Sequence, residues 1–114
     1  MCSKYKLEQS EKTMDSLEKV VLDYLDSLTI STDQLKKDLL KDDPKYPVNE
    51  FSDIRKIKKI FIESQAVYRN YVDIEMDIIG EFYGMGRERN IGVNLGGMVL
   101  IDERIEEMKR MLKW

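Results

Sequence analysis

Histidine does not occur among the 114 residues. The side chain that changes charge near neutral pH, and that most often serves as general base or transition-metal ligand, is therefore missing. No Ser-His-Asp or Cys-His catalytic arrangement can be assembled from this chain. Cysteine occurs once, as Cys2, so no internal disulfide forms and zinc sites built on several thiolates are excluded. Such sparing use of cysteine fits a reducing, cytoplasmic setting. Alanine also occurs once, as Ala66, amid abundant Lys, Ile, Asp and Glu. That skew points to an AT-rich genome: a low-GC bacterium, its phage or another mobile element, or an archaeon. No apolar run approaches the ~18 residues of a membrane-spanning helix. MCSKYKLEQSEK lacks the apolar core of a secretory signal, so neither a membrane association nor an export leader is expected.

Proline and glycine are few and sharply confined. Both prolines lie in DDPKYPVNE, residues 42 to 50, and all six glycines lie between Gly80 and Gly97. These breakers divide the chain into three nearly uninterrupted segments. Charged residues make up 36% and hydrophobic residues 42%, a composition that folds rather than staying disordered. The expectation is a single α-helical domain over residues 1–114, with residues 1–10 as a flexible N-terminal tail. The net charge of −3 supplies no global positive field toward nucleic acid.

In the first segment Met14, Leu17, Val21, Tyr24, Leu25 and Leu28 recur at three- and four-residue steps, predicting an amphipathic helix from about residue 11 to 28. Ser31 with Gln34 three residues on reads as a capping box for a short second helix that carries Leu35, Leu39 and Leu40 and stops before Asp43-Pro44. Beyond the prolines, with Asn49 or Ser52 as cap, Ile54, Ile57, Phe61, Tyr68, Val72, Met76, Ile79 and Tyr83 hold a helical period over about 30 residues. A second row, Ile60, Val67, Tyr71, Ile74, Ile78 and Phe82, makes its later half apolar on two sides. That half reads as the buried centre of the fold, covered on one side by the first helix pair and on the other by the last helix or a second copy of the chain. A bend near Ser64-Gln65 is expected. The last helix begins near Asp102, with Ile105, Met108, Met111 and Leu112 on one face and Glu106 paired with Arg110. The fold class is all-α: three to four helices around one long central helix.

Glycine clustering raises the question of a phosphate loop. Gly84-Met85-Gly86 is followed by Arg89 where a dinucleotide fingerprint needs its third glycine, and no glycine opens a Gly-x4-Gly-Lys-Ser/Thr run. No nucleotide or other cofactor is implied. Gly84 instead fits the C-cap of the long helix. NIGVN and MVLI, around Leu95-Gly96-Gly97, fit either a small β-hairpin over residues 90–101 or an irregular loop. Either way, residues 84–97 read as a turn-rich segment presenting exposed Arg87 and Arg89 to an acidic partner. Tyr71 and Ile78, on the helix half with too many apolar positions for one chain to cover, join them as partner-binding candidates and as the seam of a homodimer.

Two other clusters carry chemistry less well. RKIKK places Arg55, Lys56, Lys58 and Lys59 at the start of the long helix, which invites a helix-turn-helix or winged-helix reading for nucleic acid. The connection before it holds two prolines over about eight residues, against the three or four that motif uses. The cations also spread around the helix as a solvated face does. Asp73, Asp77 and Glu81 share one face at i, i+4 and i+8, material for a magnesium site, yet Arg69 stands one turn before Asp73 as an ion-pair partner. No metal site and no catalytic residue are assigned. The sequence favours a non-enzymatic protein that binds another macromolecule as regulator, inhibitor, adaptor or assembly component, with nucleic-acid binding through residues 55–59 as the alternative.

Overall fold

The computed structural model describes residues 2–113. Three helices account for nearly all of them: α1 (Ser3–Asp42), α2 (Ile54–Tyr83) and α3 (Arg87–Met111), with a 3-10 turn at Val48–Glu50. Among the described residues there is no strand. The molecule is a rod of 68 × 24 × 15 Å, its length set by α1, which at 1.5 Å per residue spans about 60 Å.

α1 replaces the two helices expected over 11–28 and 31–42, and it begins within the expected tail. Ser31 and Thr32 cap a helix only where the chain before them has left helical geometry. No Gly or Pro between Leu28 and Asp43 forces such an exit, so propagation continues through them. The N-terminal extension is held by Leu7, which is buried against α3. Leu7, Met14, Val21 and Leu28, with Leu25 between the last two, repeat at the seven-residue spacing of coiled-coil seams. Pro44 ends α1 by holding Asp43 in extended geometry, φ −140° and ψ 99°.

Asp53, rather than Asn49 or Ser52, caps α2, its side chain accepting from the Lys56 backbone N–H at 3.2 Å. α2 then runs unbroken through Ser64-Gln65 and antiparallel to α1. Arg55 pairs with Asp33, Lys58 with Asp26 and Arg69 with Asp15, so one numbering rises as the other falls. Gly84 and Gly86, at φ 74° and 101°, turn the chain between α2 and α3 in conformations that other residues rarely adopt. α3 returns antiparallel to α2 and parallel to α1, with Asn94 bonded to Ser3 and Ser10 to Asp102.

α3 corrects the expected hairpin near 90–101 and the turn-rich reading of residues 87–97. Gly92, Gly96 and Gly97 are not turn formers; they are the places where neighbouring helices come close. A Cβ built on Gly92 would stand 2.8 Å from the Tyr83 ring, and one on Gly97 2.6 Å from Met76 Sδ and 3.2 Å from a Leu7 methyl. On Gly96 it would meet Ile79. Each mid-helix glycine costs about 1 kcal/mol against alanine, offset here by tight packing onto α1 and α2. The idea of one long central helix also changes. The longest helix is α1, and α3 is the element that packs closely on both others.

The core is drawn from all three helices: Leu7, Met14, Val21 and Leu25 of α1, Phe61 and Val72 of α2, and Ile101, Ile105 and Met108 of α3. α3 ends beside Phe61, so the rod is three helices thick along most of α2, from about Phe61 to Tyr83, and thinner over its first turns toward the Pro44 end.

Candidate protein-binding face

α2 turns its buried residues toward its neighbours and leaves a second row outside. Ile60, Val67, Tyr71, Ile74, Ile78 and Phe82 are all exposed, from 45% at Tyr71 and Ile78 to 86% at Phe82. At 3.6 residues per turn they occupy one side of the helix and run about 33 Å along it. This corrects the expectation that the later half of α2 is the buried centre. α3 covers the row of Phe61, Val72 and Ile79 and stops there, because a helix presents only one stripe to each partner. With about 150–200 Å² for a fully exposed side chain of this size, the row offers about 600 Å² of apolar surface. That reaches the upper end of the largest patch on an ordinary monomer, ~300–600 Å².

Beside the Ile60 end of this row lies an apolar groove of about 400 Å³. Tyr24 and Leu28 of α1, Ile54 and Ile57 of α2 and Met111 at the end of α3 line it. It opens where α3 runs out and the α1–α2 pair continues alone. No residue of the groove was a sequence candidate, because it arises from the relative lengths of two helices.

The two arginine candidates separate. Arg87 stands exposed in the first turn of α3. Arg89 is half-buried, and its Nε donates to the Gly80 carbonyl oxygen at 3.2 Å. It adds a second bond to a carbonyl that already accepts from the Gly84 N–H at 3.1 Å, and its guanidinium packs over Gly80, so it is committed to the fold. Tyr71 and Ile78 do share one face, 45% exposed each, but Arg87 lies off it in the next helix. Ile60, Val67, Ile74 and Phe82, legible in the sequence as one row with Tyr71 and Ile78, belong to the face as well.

The basic stretch is partly consumed by the fold. Arg55 reaches Asp33 at 2.5 Å and Lys58 reaches Asp26 at 2.6 Å. The guanidinium of Arg55 holds the Asp33 carboxyl below the usual carboxylate range. Lys56 and Lys59 are exposed and make no ion pair among the described residues. Arg69 does not pair with Asp73: it bridges Glu18 at 2.7 Å and Asp15 at 2.8 Å, and these bonds raise its pKa further. Glu106 likewise pairs with Lys109, at 3.2 Å, rather than with Arg110. Asp73, Asp77 and Glu81 are exposed, and among the described residues no three acidic or thiol side chains gather as a metal site does.

The one buried charge among the described residues is structural. Arg104, 7% exposed, donates from Nε to Gln65 Oε1 at 2.6 Å, from Nη2 to Ser64 Oγ at 2.9 Å and from Nη1 to Glu107 at 2.9 Å. Its guanidinium lies 5.8 Å from the Phe61 ring centre and 5.4 Å from that of Tyr68. Tyr68 in turn donates its hydroxyl to the Leu100 carbonyl, and burial pushes that phenol up to about 12. This cluster ties α2 to α3, with Arg104, Gln65 and Phe61 buried and Glu107 at its solvent edge.

No helix among the described residues is long and apolar enough to cross a membrane. Comparison with known proteins gives no resemblance: no family model, no curated protein and no solved structure matches the chain.

Proposed function

We propose that this chain is a non-enzymatic cytoplasmic protein that acts by binding another protein through the exposed face of α2. The observation that carries the reading is the apolar row from Ile60 to Phe82, interrupted by Glu63 and Ser64 in the turn after Ile60 and continuous from Val67 on, exposed along one helix. A face of this size costs the monomer solubility unless it is covered in use. It has the Tyr, Phe and aliphatic make-up of an interface centre. The missing histidine and the absence of a phosphate loop in the sequence favour binding over catalysis. Arg55 and Lys58, engaged by Asp33 and Asp26, weaken the nucleic-acid reading, since they would have to leave these partners to meet phosphate.

A photo-crosslinking residue at Ile74, incorporated in the cells that make the protein, tests the reading. A covalent adduct to a protein, of this chain or another, is expected from position 74 and not from the solvent-facing control Asp23. Equal labelling from both positions removes the proposal.

A further inference from the structure

We infer that the protein seated on the α2 face is a second copy of this chain, its α2 crossing antiparallel to the first. The inference rests on the α2 face being a protein-binding surface, and three features of that face choose the occupant.

The first is charge. Lys56 and Lys59 lie along one flank of the row near the start of α2, on the side away from α3, with the exposed Glu63 one turn beyond Lys59. Asp77 and Glu81 lie along the same flank near its end. Both lysines and these last two carboxylates are exposed and unpaired among the described residues. When two helices pack antiparallel, a flank meets the same flank of its partner running the other way. Both lysines then face Asp77 and Glu81, twice over by symmetry, with Glu63 near Asp77 of the second copy as the opposing contact. A parallel pair instead sets this flank against the opposite one, and the lysines lose those partners.

The second is register. Ile60 opposite Ile78 of the second copy, and Val67 opposite Tyr71 of the second copy, share one midpoint at position 69. That placement sets Lys56 beside Glu81 and Lys59 between Asp77 and Glu81, so the apolar and charged pairings agree on one alignment.

The third is shape. In this alignment the end of each copy that is three helices thick lies against the thinner end of the other. Phe82, the most exposed member of the row at 86%, comes level with Ile57 on the side of α2 where the 400 Å³ groove opens. The groove lined by Tyr24, Leu28, Ile54 and Ile57 thus receives an aromatic ring that is bare in the single chain. The row supplies about three-quarters of the ~800 Å² that each partner contributes to a standard interface, and the flanking charges and groove walls supply the remainder.

Sedimentation equilibrium of the full chain tests this. A mass twice the 13.5 kDa of one chain is expected at micromolar concentration. Val67→Lys, at the centre of the row and exposed in the single chain, should give a monomer with unchanged helix content. Asp77→Lys with Glu81→Lys should weaken dimerisation about tenfold. Adding Lys56→Glu and Lys59→Glu to that variant should restore it. A zero-length crosslink between Lys59 and Glu81 should form, although the two stand about 33 Å apart along one helix. A wild-type monomer at every concentration overturns the inference, as does a dimer indifferent to Val67→Lys or a fourfold charge swap that restores nothing. The protein-binding reading then stands or falls on the Ile74 crosslink alone, whose adduct would be a different protein.

Discussion

Arg104 and Gln65 form a coupled buried pair, and replacing one without the other should cost far more than replacing both. Gln65 is 1% exposed, and its Nε2 already has no hydrogen-bond partner among the described residues. Arg104→Met removes the donor to Gln65 Oε1 and leaves the whole amide unsatisfied, a penalty of about 1–3 kcal/mol. The guanidinium also leaves the faces of Phe61 and Tyr68, worth about 1 kcal/mol together. Relief of its own desolvation offsets part of this, and Glu107, half-exposed, is not stranded when its partner goes. The net expectation is a loss of about 2 kcal/mol, or about 10 °C in Tm for a domain of this size. Gln65→Leu strands the Arg104 donor in the same way and should cost about as much. The double variant removes every unsatisfied group and fills the same volume with apolar atoms, so it should return to within about 1 kcal/mol of the parent. Urea unfolding followed by circular dichroism, at one fixed protein concentration, closes the cycle with a coupling of about 3 kcal/mol. Losses that simply add would refute the account of this cluster.

Gly97→Leu should lose about 2 kcal/mol, because overpacking against Met76 and Leu7 outweighs the gain in helix propensity; a raised Tm in a thermal melt would show that α3 has room to shift. Arg87→Glu should leave Tm within about 1 °C of the parent, as exposed substitutions do, whereas Arg89→Glu should lower stability by about 1 kcal/mol by removing the donor to Gly80; equal effects would separate Arg89 from the α2 terminus. An unfolded tyrosine ionises near pH ~10, while the Tyr68 phenol, raised chiefly by burial, holds its proton to about 12. Over that window the unfolded state binds fewer protons, so stability is whole below it and declines as pH rises through it; unfolding across that range should be less steep in Tyr68→Phe, and an identical slope would assign the decline to other groups.

Local patterning determined much of this protein. The stripe of Ile54, Phe61, Tyr68, Val72 and Ile79 placed α2 almost to the residue, because an amphipathic period needs no tertiary partner to be recognised. Pro44 and Gly84 marked two helix ends through backbone sterics alone. The second row, from Ile60 to Phe82, was equally legible, but whether it lies in a core or on a surface was not. That depended on where α3 lies and where it stops, which are properties of packing. The glycines misled for the same reason. Gly92, Gly96 and Gly97 break an isolated helix and serve a packed one, since only the approach of Tyr83, Ile79, Met76 and Leu7 makes a missing Cβ useful. Ser31 looked like a cap until an uninterrupted α1 ran through it, and Arg69 looked like a partner for Asp73 until α1 brought Asp15 and Glu18 nearer. Sequence specified the faces, and the tertiary structure decided which of them meet.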